Sequence, residues 1–300
     1  MPELPEVETV ARGLQRSVAG RRILSVSLGK TDFIDDPAAL EQYLPGKRID
    51  RVERYGKFML LRLSARSTEG NAEKPRALLV HLGMTGNLAP AVAAEPQGKH
   101  THARFLLDDG RELRYTDPRR FGRIAYLEDS SLSAELERFG AEPLHINAEE
   151  FASRFRGRHA RVKALLLDQR VLRGIGNIYA DESLWRAKIH PAKLGIRLTR
   201  AEADALRKAL QAVLLRAIAA RGSSISDFVD ADGRPGEYQQ HHRAYGREGE
   251  KCYRCGARIR RMIVAGRSSY FCPVCQRSPR ETPQPKRKTK RNARRKTSKK

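Results

Sequence analysis

The chain reads as an α+β protein of two domains, and three observations carry that reading. From Ile23 to Leu127, short apolar or alternating runs are broken by turn residues, the pattern of an antiparallel β-sandwich or barrel. From Glu149 to Arg221 the pattern turns helical. Two Cys-x2-Cys pairs then close a small module around a pair of strands, a four-cysteine zinc-finger β-hairpin.

Taken in order, the first element is a helix. Pro5 suits its first positions, Glu6 and Glu8 favour the positive end of the helix dipole, and Leu4, Val7 and Val10 share one face. Strands are predicted at Ile23 to Leu28, Phe58 to Leu63, Ala77 to Leu82, Ala103 to Leu107, Glu112 to Tyr115 and Arg123 to Leu127. Asp109-Gly110 marks a tight hairpin between two of them, because this dipeptide tolerates positive φ. Ser64 to Arg76, polar and holding Gly70 and Pro75, reads as a surface loop.

The character changes between Asp129 and Asn147. The clearest helix of the second half begins near Arg200, where Leu206, Leu210, Val213, Leu214, Ala217 and Ile218 form one apolar stripe that Gly222 ends. Pro191 and Gly195 separate it from an earlier helical stretch, Asp181 to Lys188. A polar, glycine-containing loop follows from Ser223 to Gly249, then the cysteines, then a Lys/Arg tail without apolar periodicity that reads as disordered.

Composition narrows the partner. Fifty-nine Lys and Arg against thirty-five Asp and Glu give +24, which calls for a polyanion or a membrane surface. The segment Arg280 to Lys300 accounts for +10, so the body is basic in its own right. No apolar run approaches the ~18 to 20 residues of a membrane span. The N-terminus has no charged region followed by an apolar run, which argues against export and for a reducing, cytoplasmic setting. There, four clustered cysteines mean metal rather than disulfides.

Cys252, Cys255, Cys272 and Cys275 fit one tetrahedral zinc closed by two knuckles, a structural site because no coordination position is open. Arg258, Arg260, Arg261 and Arg267 flank a hairpin predicted at Ile259 to Val264 and Ser269 to Phe271, which suits a nucleic-acid groove or, more plainly, a solvated hairpin stapled by metal. Gly174-Ile175-Gly176-Asn177 lies between helical stretches, Val162 to Gln169 and Ile178 to Lys188. Its amides are free either to face a phosphate or to make an ordinary cap and turn. His81-Leu82-Gly83-Met84-Thr85-Gly86 and Tyr115-Thr116-Asp117-Pro118-Arg119-Arg120-Phe121-Gly122 place large apolar groups in turns that should be polar. Such groups are core packing or wedges that fill a hole in a base stack. Pro2 is the chemically odd residue: if Met1 is trimmed, its nitrogen becomes a secondary amine with Glu3 and Glu6 at hand, a Schiff-base nucleophile beside its own proton shuttles.

Together, Pro2 to Val10, the Arg54-Tyr55-Gly56-Lys57 loop, the two loops above, Gly174 to Glu182 and the four-cysteine finger resemble the formamidopyrimidine-DNA glycosylase family, collinearly over residues 2 to 277. The related endonuclease VIII shares the plan. Leu4 and Pro5, with Asp227-Phe228 and Asp232-Gly233-Arg234-Pro235-Gly236, favour the formamidopyrimidine branch. The resemblance implies a catalytic β-sandwich over 1–130, a linker over 131–148, a helix-two-turn-helix domain over 149–240, a zinc finger over 241–279 and a disordered basic tail over 280–300.

Position by position, the resemblance implies that Pro2 is the nucleophile, Glu3 the general acid/base with Glu6 in support, and Lys57 a contact to DNA beside the reacting sugar. Met84, Arg119 and Phe121 match the void-filling wedge. Lys163, Asn177 and Arg267 match phosphate contacts and His100 a further DNA contact. Ser223 to Tyr245 corresponds to the loop that closes over a flipped base. The expected protein is a monomeric glycosylase and abasic-site lyase for oxidised purines in duplex DNA, with one structural zinc. An endonuclease VIII-like enzyme for oxidised pyrimidines and a non-catalytic DNA-binding zinc protein are the alternatives. Gly222-Ser223-Ser224-Ile225, His241-His242 and the length of Ser64 to Arg76 depart from the family's usual pattern.

Overall fold

The computed structural model describes residues 1–64, 76–225 and 228–278. Residues 65–75 of the expected surface loop, Asp227 and the basic tail lie outside the described residues. The first element, α1 (Leu4–Val18), starts where the Glu3 N–H donates to the Glu6 carboxylate at 2.9 Å, half of a capping box that sets the helix origin. Val7, Val10, Ala11, Leu14 and Val18 form its buried stripe.

That stripe packs on a sandwich of two four-stranded antiparallel sheets. The strands are β1 (Ile23–Leu28), β2 (Arg48–Tyr55), β3 (Phe58–Ser64), β4 (Arg76–His81), β5 (Asn87–Val92), β6 (Thr101–Leu107), β7 (Arg111–Thr116) and β8 (Arg123–Glu128). One sheet runs β1-β6-β7-β5 and the other β2-β3-β4-β8. The predicted hairpin joins β6 to β7 with Gly110 at φ +80°. Two strands were not legible. In β2 the pairing shifts between Ile49 and Arg51, so its buried residues Ile49 and Val52 fall three apart and the alternation is lost. β5 holds Pro90, which is tolerated because β5 is an edge strand.

Helices α2 (Pro37–Tyr43) and α3 (Asp129–Glu137) flank the sandwich, and most of α3 falls in the stretch expected as linker. The second half is helical: α4 (Ala148–Phe155), α5 (Val162–Leu167), α6 (Asn177–Ala187) and α7 (Arg200–Ala219). A capping box of Thr199 and Glu202 starts α7, and Gly222 follows its end at φ +81°. The hairpin of β9 (Arg260–Val264) and β10 (Arg267–Phe271) completes the chain.

The two halves share one element. Val7 onward belongs to the sandwich core, whereas Leu4 belongs to the helical core with Phe151, Leu166, Tyr179 and Leu210. A clamp reinforces the junction. The Arg54 guanidinium donates to Glu8 at 2.7 Å and to Glu142 at 2.9 Å, and Arg173 binds Glu142 at 3.2 Å while stacking over Tyr55 at 4.1 Å. Because Leu4 is fully buried, Leu4→Ala is expected to lower stability by about 2–5 kcal/mol, read as a shift in the denaturant midpoint at unchanged slope.

Candidate active site and DNA-facing surface

The junction holds the N-terminus. The Leu4 N–H donates to the Gly174 carbonyl at 3.0 Å, which draws Glu3 onto the start of α6. There its carboxylate accepts from the amides of Gly176 (3.0 Å), Ile178 (3.0 Å) and Tyr179 (3.4 Å), the positive end of the helix. Glycine is required at 176, since a Cβ there would stand 2.3 Å from Glu3 Cδ. Of the two readings the sequence leaves open for the amides of Gly174 to Asn177, phosphate or cap and turn, the structure shows them used within the protein: Glu3 occupies those of Gly176, Ile178 and Tyr179, and the Gly174 N–H is taken by Gln169 at 2.8 Å.

Pro2 lies buried beside Glu3 and lines a cleft with Met1, Glu6, Met84, Ile178 and Ser223. Glu6 accepts from the Tyr179 hydroxyl (2.5 Å) and the Ser223 N–H (2.6 Å) as well as from Glu3 N–H. Burial raises the pKa of Glu3 against the opposing pull of Lys57 and the α6 amides. Burial and the neighbouring Glu3 charge push Glu6 up to about 7. Lys57 is likewise buried and its pKa is lowered by desolvation, with Glu3 and Glu6 opposing that shift and the Arg267 charge adding to it. The structure therefore brings Pro2, Glu3, Glu6, Lys57 and Arg267 into one electrostatic cluster, although they come from α1, the β2–β3 turn and the terminal hairpin.

Sequence reasoning missed Tyr179 and Arg54. A tyrosine inside an apolar helix reads as core, and nothing in its spacing announces a bond to Glu6. Arg54 stood in a quoted loop, but its partners Glu8 and Glu142 are distant in sequence.

The DNA-facing candidates divide. Met84 is 41% exposed and Phe121 58%, and the Arg119 guanidinium stacks over the Phe121 ring at 4.6 Å. His100 precedes β6, half-buried, its ring 6.3 Å from that of His102. Asn177 opens α6, its side-chain oxygen without a partner among the described residues. Lys163 requires correction: it is fully buried, 2.7 Å from the Asp181 carboxylate and donating to the Ser268 carbonyl at 2.7 Å, so no phosphate reaches it in this conformation. Asp181 also accepts from the Tyr270 N–H at 3.0 Å. The pair is a strut that seats the hairpin, and with it Arg267, on α5 and α6.

The four cysteine sulfurs lie within 4.8 Å of one another. Trp185 Nε1–H and the Arg254 N–H each donate to Cys252 Sγ at 3.4 Å, and the Cys275 N–H to Cys272 Sγ at 3.4 Å, the polarity that thiolates demand. Burial pushes the Cys272 thiol up to about 12, with contact to Cys255 adding to it; sulfurs so crowded ionise together only around a cation. This donor set fits a closed structural zinc.

Pro2 buried beside two carboxylates of raised pKa, Met84 and Phe121 exposed on neighbouring loops, and a basic hairpin held by four clustered cysteines are the features of a two-domain DNA glycosylase. Known proteins agree. The family described as formamidopyrimidine-DNA glycosylase N-terminal domain matches residues 1–124, its H2TH domain 139–229, and the zinc finger found in FPG and IleRS 249–277. The formamidopyrimidine-DNA glycosylases of Herpetosiphon aurantiacus and Solibacter usitatus are 43% and 46% identical, each over 92% of this chain and 100% of its own length. Lactococcus lactis Fpg in complex with abasic-site DNA superposes with a TM-score of 0.84 at 34% identity, covering 92% of this chain and 100% of that one. The chain belongs to the formamidopyrimidine-DNA glycosylase family.

Two outcomes test this electrostatic reading. Lys163→Met is expected to cost about 3–5 kcal/mol in denaturation, because Asp181 loses its countercharge. The same change leaves the salt dependence of DNA affinity unaltered, whereas a slope reduced by about 0.9 would restore Lys163 as a phosphate contact. For Glu6, a folded-state pKa of about 7 lies above the ordinary 4.5, so its stabilising contribution is full below about pH 4.5 and is lost as pH rises through about 7. Relative to Glu6→Gln, the wild type is expected to lose at most about 3 kcal/mol across that window, measured by denaturation at each pH.

Proposed function

We propose that the protein excises oxidised purines, such as 8-oxoguanine and ring-opened formamidopyrimidines, from duplex DNA and then cleaves the strand, with Pro2 as the nucleophile. The observation that carries this is the burial of Pro2 in the interdomain cleft beside Glu3 and Glu6, two carboxylates with raised pKa values. The Lactococcus lactis relatives are described as bound to Fapy-dG and abasic-site DNA.

With Met1 removed, the Pro2 nitrogen carries a lone pair and a pKa near ~8. It attacks C1′ of the extruded nucleotide; the C1′–base bond breaks with its electron pair going to the base, which takes up a proton. Opening of the sugar ring returns the C1′–O4′ pair to O4′, and Glu3, whose pKa burial raises, serves as the acid that supplies the proton there. The nitrogen sheds the proton it carried into the new bond, balancing the one the base takes up, and the lone pair so freed forms the C1′=N iminium as the ring opens. This cation acidifies the C2′ proton, whose loss expels the 3′ phosphate; a second elimination expels the 5′ phosphate. Lys57 neutralises phosphate beside the sugar, and Asn177, Arg267 and His100 hold the flanking backbone. Met84, Arg119 and Phe121 fill the void left by the base. The zinc module serves by fixing the hairpin. In this reading the protein acts as a monomer at the bacterial nucleoid.

Borohydride reduction on lesion-containing duplex is expected to trap a covalent adduct that mass spectrometry locates on Pro2 of Met1-less protein. Protein retaining Met1 is expected to form none. An adduct on Lys57 overturns the assignment, and cleavage confined to pyrimidine lesions in a panel of single-lesion duplexes overturns the substrate class.

A further inference from the structure

Two loops carry the three wedge residues. Met84 lies in the Leu82–Gly86 connection between β4 and β5; Arg119 and Phe121 lie in the connection between β7 and β8. They are far apart in sequence, yet they touch backbone to backbone: a Cβ on Gly83 would stand 2.4 Å from the Phe121 carbonyl carbon, and one on Gly122 would stand 2.7 Å from the His81 carbonyl oxygen at the root of the Met84 loop.

One side chain bonds to both. Asp117 is fully buried. Its Oδ1 accepts from the Thr85 hydroxyl at 2.6 Å, in the Met84 loop, and from the Arg119 N–H at 3.2 Å. Its Oδ2 accepts from the Gly122 N–H at 3.0 Å and from the Tyr115 hydroxyl at 3.3 Å. Tyr115 is itself rigid: it is fully buried, stacked on Phe33 at 5.2 Å, and its hydroxyl is shared with the His81 carbonyl at 3.4 Å, at the root of the Met84 loop. All four donors are neutral, so a carboxylate, with two acceptor oxygens, is the group that satisfies them together.

We propose that Asp117 is a positioning residue for base extrusion: it fastens the Met84 loop to the Arg119–Phe121 loop so that the three side chains enter the DNA stack as one body. The proposal rests on reading those three as the void-filling wedge. Separately anchored loops would each lose conformational freedom on insertion, whereas a preassembled wedge has already lost it on folding. Asparagine is the informative substitution. It keeps one acceptor and turns the other into a donor that meets an N–H whichever way the amide sits, that of Gly122 or that of Arg119, which loosens the Arg119–Phe121 loop from the shared side chain with little change of volume.

The test compares single-turnover base excision at an 8-oxoguanine duplex with strand cleavage at a preformed abasic site, where no base has to be driven out. Asp117→Asn is expected to slow excision about tenfold or more, about 1.4 kcal/mol on the activation barrier, with abasic-site cleavage changed by less than about twofold. Thr85→Val, which removes one link and leaves the carboxylate, is expected to slow excision by less, and it keeps the test valid should the Asn variant fold poorly. Met84→Ala is expected to slow excision in the wild type and to add little in the Asp117→Asn background, because the wedge is already uncoupled. Equal losses on both substrates, or additive effects of Met84→Ala and Asp117→Asn, overturn the role of Asp117 alone. Full excision by Met84→Ala overturns the wedge reading beneath it.

Discussion

The Glu3 carboxylate held by the first amides of α6 is the contact on which the rest of the site depends. A helix N-terminus offers several unpaired N–H groups and a partial positive charge, so an acid there is favoured even where water is excluded. By placing Glu3 there, the chain ties its N-terminal end to the helical domain, while the stripe of α1 that begins at Val7 is committed to the sandwich. The cleft therefore exists only when both domains are in place, and the Arg54–Glu8–Glu142 clamp holds them so.

Burying Glu3, Glu6 and Lys57 together is costly unless each charge is answered. The α6 amides answer Glu3, the Tyr179 hydroxyl and the Ser223 amide answer Glu6, and Lys57 answers both. The compensation is incomplete, and desolvation leaves both carboxylates with raised pKa values. For Glu6 that residue of unfavourable solvation, with the Glu3 charge beside it, brings the pKa up to about 7.

The zinc hairpin reaches the same cluster by a different route. Lys163 and Asp181 pair at full burial and bind the backbone of Ser268 and Tyr270, so the hairpin is fastened at two points along β10. The family resemblance placed Lys163 among the phosphate contacts, whereas here it is fully buried, which is rare for a lysine without a partner. Its burial follows from Asp181, one helix away, and no local pattern reports such a pair.

Much of the architecture was legible before the structure. Six strands, the Asp109-Gly110 hairpin, the long α7 and the cysteine module follow from local periodicity, turn chemistry and ligand spacing, which the chain carries within a few residues. β2 and β5 escaped because a bulge and an edge-strand proline disrupt the period that identifies a strand. The residue types at the site, and the oddity of a proline next to the terminus, were likewise written in the sequence. Only the tertiary structure decided that the glycine-flanked amides hold a carboxylate rather than a phosphate, that Lys163 is a strut, and that Asp117 joins two loops. Each of these is a choice of partner across the fold, set by which groups are driven out of water together, and that is a property of the packed chain rather than of any stretch of it.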